Sequence, residues 1–409
     1  MRGTRLGMKI RTSLALWLLC AGAGAEDWPK WLGPEANGIS RETGLLPSWP
    51  EGGPAVLWEA PLAGGFSCVS IAGRRAFTQE QRDGSQYLLA LDEKTGRELW
   101  RTVTGPGYED RHGEGPRATP TVDGGRVYAL DGGNVLVCAG AADGAVVWRH
   151  DLRKEYGVDM SPYGWSGSPL VDGGLVAVNA GKSEGSSVLA FKADTGELAW
   201  RNLDDRAGYA SGIVRRAGER LEFVFYTAEG LVALDPADGR LLYRYHWRNK
   251  WNNSGMTPVL HGDTILISTL DIGASLLRVK EASPPELEVV WSGKSYETEF
   301  GNPILIDGWL YGVRKNSFAG IEYATSTLAW DVKGFSRATC CYADGRLYIL
   351  NEKGRLVLAR ATPERLEEVS AVETLFHRTD KNWVMPVVAN GRLYLRDCDR
   401  LLCLDVKAK

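Results

Sequence analysis

The sequence predicts an all-β chain folded as a single eight-bladed β-propeller. Three observations carry this prediction. A motif of strand, turn and returning strand recurs along the 409 residues, a second hairpin precedes each copy, and the two ends hold complementary parts of one incomplete unit. Successive copies lie 39 to 52 residues apart. That is the period of a propeller blade, not of a helical solenoid.

The recurring motif is clearest in LLALDEKTGRELWR, residues 88–101. Its first residues are apolar, as a strand covered on both faces requires, and Gly96 supplies the positive φ of a tight turn. The returning strand then carries an aromatic ring, for which we expect a position wedged between adjacent blades. That ring recurs at Trp100, Trp148, Trp200, Tyr243, Trp291 and Trp330. Ten residues before the ring position stand the small residues Ala90, Cys138, Ala190, Ala233, Gly320 and Ala359.

A second hairpin, such as TPTVDGGRVYAL (119–130), gives each unit four antiparallel strands. The last copy stops at Lys409 without its fourth strand, whereas VLWEAPL (56–62) resembles the fourth strand VVWRHDL (146–152). We therefore expect the N-terminal strand to complete the final blade, which closes the ring and removes its open edge. The hairpins count eight blades. The seventh is the weakest match, so seven blades remain an alternative.

The first 25 residues have the features of a signal peptide. Four basic residues precede a short apolar run, and Ala23-Gly24-Ala25 fits a small-x-small cleavage site. The run is too short to span a bilayer as a helix. We expect an exported protein, periplasmic or secreted, with an N-terminal lead-in segment at 26–54 and the propeller at 55–409.

The charge balance excludes two classes of partner. Removing the leader takes four of the 48 basic residues and none of the 51 acidic ones, which leaves 44 minus 51, or −7. Nucleic acid and anionic membrane surfaces both require a basic face. No later segment is apolar enough to cross a membrane. We expect no nucleic-acid partner and no integral membrane contact.

The pattern AxDxxTGxxxW, preceded by PxxxxGxxY, resembles the pyrroloquinoline-quinone (PQQ) repeat. That repeat is shared by quinoprotein dehydrogenases and by non-enzymatic propellers such as the bacterial outer-membrane assembly lipoprotein. The stretches at 27–50 and 113–131 resemble those of exported repeat propellers from bacteria. The resemblance covers essentially the whole mature chain and implies the propeller fold. It does not imply one activity, because the fold carries both kinds of protein.

Long connections between blades mark one rim as the candidate binding face. They lie at 102–118, 150–167, 245–256 and 370–385. The end of each connection precedes an innermost strand, so these ends should converge on the central axis and form a polar and aromatic funnel. The candidate ligand-binding residues are Arg117, Trp165, Tyr209, Asn253, Glu299, Asn302, Arg337 and Trp383. The alternative is that they only close the loops and hydrogen-bond one another.

Two functions remain open. The first is a non-catalytic binding or scaffold protein that takes a protein segment, a glycan or a small molecule in the funnel and needs no cofactor. The resemblance implies the second, a Ca²⁺-dependent quinoprotein dehydrogenase acting on an alcohol or sugar. It would hold PQQ on Trp165 or Trp383 beside a vicinal disulfide, with Cys340-Cys341 as the candidate pair. Glu299 and Asn302 would then supply hard oxygen ligands to Ca²⁺.

Several features favour the first function. Cys340 and Cys341 start an inner strand, where successive side chains face opposite sides, so a bond between them would require a local distortion. We expect buried thiols instead. No aspartate stands out as a catalytic base, and no CxxCH motif is present to attach haem. His112 and its acidic neighbours could ligate a metal, but the other histidines of the mature chain are scattered singly without ligand spacing, so we expect a solvated charged loop instead.

Overall fold

The computed structural model describes residues 26–182, 184–373, 375–376 and 380–408, so the predicted signal peptide lies outside the described residues. The chain is nearly all β and forms eight antiparallel sheets of four strands each. Residues Ile39–Ser40 add a short parallel strand to the inner edge of the seventh, and a two-stranded ribbon lies outside the eight sheets. The innermost strands of neighbouring sheets contact one another, which arranges the sheets as blades around an axis. The predicted propeller is confirmed, with eight blades rather than seven.

The strands follow the chain in blade order. Two strands and the first two blades have these bounds: β1 (Ile39–Ser40), β2 (Val56–Pro61), β3 (Ser70–Ala72), β4 (Arg75–Arg82), β5 (Ser85–Asp92), β6 (Glu98–Pro106), β7 (Glu109–Asp110), β8 (Gly113–Glu114), β9 (Thr121–Asp123), β10 (Arg126–Leu130), β11 (Val135–Gly140) and β12 (Val146–Asp151). A short helix and blades 3 to 5 follow: α1 (Leu152–Tyr156), β13 (Leu170–Asp172), β14 (Leu175–Asn179), β15 (Val188–Lys192), β16 (Leu198–Asn202), β17 (Ile213–Ala217), β18 (Arg220–Thr227), β19 (Gly230–Leu234), β20 (Leu241–His246), β21 (Val259–His261), β22 (Thr264–Thr269), β23 (Gly273–Lys280) and β24 (Glu286–Gly293). Blades 6 to 8 contain β25 (Ile304–Ile306), β26 (Trp309–Arg314), β27 (Ser317–Glu322), β28 (Leu328–Lys333), β29 (Thr339–Ala343), β30 (Arg346–Leu350), β31 (Leu356–Ala361), β32 (Leu366–Val372), β33 (Val387–Ala389), β34 (Arg392–Arg396) and β35 (Arg400–Asp405).

The ring closes through the N-terminal strand, as the sequence predicts. Strand β2 pairs antiparallel with β35, and Trp58 lies opposite Cys403. Blade 8 therefore takes its outermost strand from one end of the propeller and its other three from the other end. The hydrogen bonds between β2 and β35 therefore join the first and last strands of the propeller.

The recurring spacing of the turn and the aromatic ring within the blades has a direct structural cause. Trp100 lies opposite the small residue Ala90 on the neighbouring strand, which leaves room for the indole. Its Nε1 donates to the carbonyl of Ala141 in the next blade at 3.3 Å. Gly144 of that turn has φ of +72°, and a Cβ there would come within 2.5 Å of the Trp100 ring. The same indole-to-carbonyl bond recurs from Trp58 to Glu93, Trp148 to Ala193, Trp200 to Pro236, Trp291 to Tyr323 and Trp330 to Thr362. The ring is therefore an inter-blade contact, as predicted.

Blade 7 matches the motif weakly because its ring comes from elsewhere in the chain. In its outer strand Ser370, opposite Leu358, stands at the ring position, so the predicted small residue Ala359 is one place out of register. Trp49 of the lead-in segment packs against Tyr348 with ring centroids 6.1 Å apart. The distance is 5.9 Å between Trp148 and Tyr128, the corresponding pair of blade 2. Trp49 thus occupies the place of the missing blade 7 tryptophan.

The lead-in segment closes one end of the ring. It is bound to the turns between first and second strands, at the opposite end of the inner strands from the long loops. Asp27 accepts from Gly73 there, and Leu45 donates to Asp344. Along its course it makes backbone contacts with Ile71 in blade 1, Val122 in blade 2, Tyr342 in blade 7 and Val406 in blade 8. The central opening is therefore covered on this face.

Candidate ligand-binding funnel

A cavity of about 390 Å³ opens among the long loops. Its lining includes at least one residue from the stretch before the inner strand of every blade: Phe66, Arg117, Tyr163, Tyr209, Asn253, Glu299, Arg337 and Trp383. A cavity lined from all eight directions lies on the propeller axis. The loop ends therefore converge as their position before the inner strands requires.

Seven of the eight candidate residues line this cavity. They are Arg117, Tyr209, Asn253, Glu299, Asn302, Arg337 and Trp383. Trp165 is the exception, since it is only 1% exposed and packs in the apolar cluster between blades 2 and 3. Its Nε1 donates to the carbonyl of Ala180 at 2.7 Å. Because both the ring and its donor are satisfied inside the core, Trp165 has no surface left for a ligand.

The floor of the cavity is formed by the lead-in segment. Trp31 lines the cavity from below, and its Nε1 donates to Thr257 Oγ1 at 3.0 Å. Thr257 is in turn held by Asn302, whose Oδ1 accepts from the Thr257 backbone N–H and whose Nδ2 donates to the Thr257 carbonyl. The cavity is therefore blind, open at the long-loop rim and closed by an indole at the other end.

Aromatic rings crowd around Trp383. Phe66 stacks on it with centroids 5.4 Å apart, Phe300 lies at 5.6 Å, and His112 meets it edge-on at 5.8 Å. The guanidinium of Arg337 lies 5.4 Å from the same ring centroid. These four neighbours fix the indole and leave little of its faces open to a flat ligand.

Two ion pairs lie on the cavity wall. Arg117 contacts Asp110 at 3.0 Å and lies over the ring of Tyr108 at 4.7 Å. Burial is the main influence on this guanidinium and lowers the pKa of Arg117, against the opposing effect of Asp110. Arg337 donates from Nε to Glu299 at 3.0 Å. Both carboxylates are therefore already neutralised by an arginine.

Arg111 and His112 form a second polar group at the rim. Arg111 donates from Nε to His112 Nε2 at 3.1 Å and from Nη2 to the hydroxyl of Tyr163 at 2.5 Å. Desolvation lowers the pKa of His112, so at neutral pH its ring is uncharged and Nε2 can accept the arginine proton. The His112 backbone N–H donates to Asp110 at 2.7 Å. This network fixes the loop and accounts for His112 without a metal ion.

Two lining residues have unused recognition surface. Trp251 is 62% exposed, and its Nε1 is tethered to Asp271 at 2.9 Å. The side-chain amide of Asn253 makes no hydrogen bond to any other described residue, although its backbone is held by Asn249. An exposed indole and a free carboxamide at the mouth of a cavity are typical of recognition surfaces rather than of packing.

The residues that would hold Ca²⁺ and a quinone do not form a ready site. The amide of Asn302 is engaged on both sides by Thr257, and one oxygen of Glu299 is engaged by Arg337. Trp383 is covered by its neighbours. Nowhere among the described residues do three or more His, Cys, Asp or Glu side chains group as metal ligands would. Binding either group would require these contacts to break.

The vicinal cysteines face opposite ways. Cys340 lines the cavity, whereas Cys341 is fully buried in the core between blades 7 and 8, and both are free thiols. Burial raises the pKa of Cys340 to about 12. The alternation of side chains along β29 produces this separation. Each is therefore an inert thiol in this arrangement.

Sequence reasoning missed five aromatic lining residues. They are Trp31, Phe66, Tyr163, Trp251 and Phe300. Tyr163 and Trp251 lie within the long connections already identified, so a search along the whole loop, not only its last residues, would have found them. Trp31 had no such signal, because no repeat shows where the lead-in segment crosses the ring.

Comparison with known proteins agrees with this architecture. A family model described as outer membrane protein assembly factor BamB matches residues 84–332, more than half of the chain. No curated protein matches the chain. The quinohemoprotein alcohol dehydrogenase ADHIIG of Pseudomonas putida HK5 is 13% identical, with a TM-score of 0.62 over 94% of this chain and 80% of its own. The computationally designed Ika8 protein is 8% identical, with a TM-score of 0.57 over 86% and 99%. At these identities the likeness shows the fold alone.

Within the described residues, no helix has the length and apolar character needed to cross a bilayer.

Proposed function

We propose that this chain, which belongs to the PQQ-repeat propeller family described as outer membrane protein assembly factor BamB, is an exported, non-catalytic binding protein. Its ligand occupies the axial funnel at the long-loop rim, and no cofactor takes part. The single observation that carries the proposal is the blind cavity to which all eight blades contribute. Because the walls belong to a closed ring, the site is largely formed before the ligand arrives.

The groups at the mouth support binding rather than catalysis. The histidine and both carboxylates of the cavity are engaged by neighbouring residues, whereas the exposed Trp251 and the free amide of Asn253 are surfaces for recognition. A general base needs an accessible proton acceptor of matched pKa. His112 is the nearest to one, and its Nε2 is occupied by Arg111.

The volume of the cavity limits what can enter it. About 390 Å³ admits a small molecule, one or two sugar rings, or the end of a peptide, and excludes a folded domain. The family description names an assembly factor, which makes a protein segment one candidate occupant. An exported protein would meet any of these in the periplasm or outside the cell.

A Ca²⁺-dependent quinoprotein dehydrogenase is the second candidate. One observation favours it, namely that Trp383, Cys340, Glu299 and Asn302 line the same cavity. When bound, PQQ would supply the two-electron oxidation of an alcohol or sugar. Asn302 would first have to release Thr257, and Arg337 would have to leave both Glu299 and the Trp383 ring.

A titration with PQQ, with and without Ca²⁺, separates the two functions. Tryptophan fluorescence reports binding, and reduction of an artificial electron acceptor in the presence of alcohols and sugars reports turnover. We expect neither Ca²⁺-dependent quenching at micromolar quinone nor dye reduction. Tight Ca²⁺-dependent quenching with substrate-dependent dye reduction would overturn the binding-protein proposal in favour of the dehydrogenase.

The binding function itself is tested with Trp251→Ala. The purified protein is titrated with a panel of monosaccharides, oligosaccharides, small acids and short peptides by calorimetry. We expect at least one class to bind and Trp251→Ala to weaken that binding with the melting temperature unchanged, since the ring is mostly exposed. Trp247→Ala is the matched control, because Trp247 lies on the same loop and does not line the cavity. Equal effects of the two variants on affinity would contradict a site in the funnel.

A further inference from the structure

The three arginines of the funnel differ in their partners. Its lining holds three arginines and two carboxylates, Arg111, Arg117, Arg337, Asp110 and Glu299. Arg117 is paired with Asp110 and Arg337 with Glu299, each at 3.0 Å. Arg111 belongs to none of the ion pairs in the described part of the chain. Glu352, which does not line the cavity, adds a second carboxylate at 3.8 Å from Arg337, so Arg111 is the arginine of the lining that has no carboxylate partner in the described part of the chain.

Arg111 is also held in place by neutral groups alone. Its two hydrogen bonds go to His112 Nε2 and to the Tyr163 hydroxyl, and its Cζ lies 4.9 Å from the centroid of the Tyr163 ring. An exposed arginine ordinarily loses side-chain freedom when it binds an anion. Here that freedom is already lost, while Nη1 makes no hydrogen bond to a described residue. The guanidinium is preorganised for an anion.

An aromatic wall continues from this guanidinium into the funnel. The rings of Tyr163 and Tyr209 lie 5.6 Å apart at their centroids, and the Tyr209 hydroxyl accepts from Ser161 and retains its own proton to donate. The two rings are tilted by 46°, so one of them can pack against the face of a sugar or aromatic ring while the other meets its edge. The uncharged His112 borders the same wall at 5.1 Å from Tyr163.

We propose that the funnel binds a small carboxylate carried on a ring, with the carboxyl group on Arg111 and the ring against Tyr163 and Tyr209. This inference rests on the proposed function and names the ligand class of that site. The planar fork of a guanidinium matches a carboxylate better than it matches a neutral acceptor, and a hydrogen bond between two charged groups is the stronger one. Sugar acids and aromatic acids share this chemistry.

The test compares acids with their neutral forms. Glucuronate, galacturonate and their short oligosaccharides form one arm, benzoate and naphthoate form the other, and the methyl ester of each is its partner. Calorimetry at low and high salt gives the affinities for the unaltered protein and for Arg111→Gln and Arg111→Lys. Arg248→Gln is the matched control, because it removes the same charge from the same rim at a residue paired with Glu229 outside the cavity.

One arm is expected to bind, with the acid preferred over its ester. Arg111→Gln should lower the affinity for the acid about 10-fold to 100-fold, the range for loss of a charge-assisted hydrogen bond, and should leave the affinity for the ester unchanged. Arg111→Lys should recover part of the loss, and Arg248→Gln should have little effect. The arm that binds identifies the source of the carboxylate.

Two results would overturn the proposal, and they differ in what else they imply. If neutral sugars or peptides bind in the funnel and Arg111→Gln does not change their affinity, the carboxylate proposal is refuted and the proposed binding function is retained. If no acid, ester, sugar or peptide binds, both the carboxylate proposal and the proposed binding function are refuted.

Discussion

Replacement of Asn302 by alanine tests whether this residue is a structural bridge between blades or a ligand for Ca²⁺. The Asn302 side chain is 6% exposed, and its amide makes two bonds to the backbone of Thr257, with Nδ2 at 2.8 Å from the carbonyl. Thr257 is itself 1% exposed. The alanine variant therefore leaves a buried N–H and a buried C=O without partners, in addition to losing the bridge between blades 5 and 6.

The expected cost follows from that count. Each buried backbone group left unsatisfied costs about 1–3 kcal/mol, so the loss of both bonds in Asn302→Ala should lower the free energy of unfolding by about 2–6 kcal/mol. Urea denaturation in EDTA measures it, with Asn253→Ala as the control. The Asn253 amide has no bond to another described residue, so that variant should change stability by less than about 0.5 kcal/mol.

A second variant separates the two roles of Asn302 more sharply. Asn302→Asp keeps an acceptor for the Thr257 N–H but turns a carboxylate oxygen toward the Thr257 carbonyl, so it too should be destabilised in EDTA. A Ca²⁺ ligand would instead be improved by the added charge. The structural reasoning would be refuted if Asn302→Ala unfolded like the unaltered protein in EDTA, or if Ca²⁺ restored the stability of Asn302→Asp.

Three further perturbations follow from the packing. Gly144→Ala should lower the free energy of unfolding by at least about 2 kcal/mol, because its Cβ would strike the Trp100 ring. Gly125→Ala has a similar φ but open space around it, so it should cost about 1–2 kcal/mol from backbone strain alone. Urea denaturation of the two variants compares these costs. Desolvation raises the pKa of Asp131 to about 6, so the folded state holds the carboxyl proton to higher pH than the unfolded state. The free energy of unfolding should therefore fall as the pH rises from about 4 to 6, and Asp131→Asn should lack that decline. Equal pH profiles for the two proteins would contradict this role of Asp131. Trp31→Ala should weaken binding of the funnel ligand and lower the melting temperature, since it removes both the floor and a half-buried hydrogen bond. Calorimetry of binding and unfolding measures the two effects, and an unchanged affinity would show that the ligand does not reach the floor.

The sequence allowed the fold to be predicted because the blade repeats its contacts as well as its strands. The positions of Ala90, Trp100 and Gly144 recur in most blades, since the ring faces a small residue in its own blade and a turn in the next. Blade 5 departs from this pattern, because Leu276 lies opposite Trp291. Periodicity therefore identified both the blades and the inter-blade role of the ring. The match is weak in blade 7, where Ser370 stands at the ring position, because the substitute Trp49 lies far away in the chain.

Candidate site residues were predictable only as far as their loops were. Arg117 and Trp383 line the funnel because they immediately precede inner strands, a position that sequence spacing shows. Trp165 lies near such a position and nevertheless turns into the core, where Ala180 offers its indole an acceptor. A local pattern cannot show which way a side chain turns when both a core and a cavity lie within reach. The pairing of Arg337 with Glu299, and the isolation of Arg111, depend on contacts between different loops.

The lead-in segment connects the stability of the ring with the depth of its site. Trp31 forms the floor, Trp49 fills the ring position of blade 7, and the strand that follows completes blade 8. Without this stretch the central opening would pass through the molecule, one blade would lack its inter-blade ring, and another would lack a strand. A ligand bound on the floor would therefore stabilise the contacts that close the propeller, since anything that binds only the folded state shifts unfolding in proportion to its occupancy. Ligand-dependent protection from hydrogen exchange should accordingly extend beyond the rim loops to residues 28–46, on the far face of the ring.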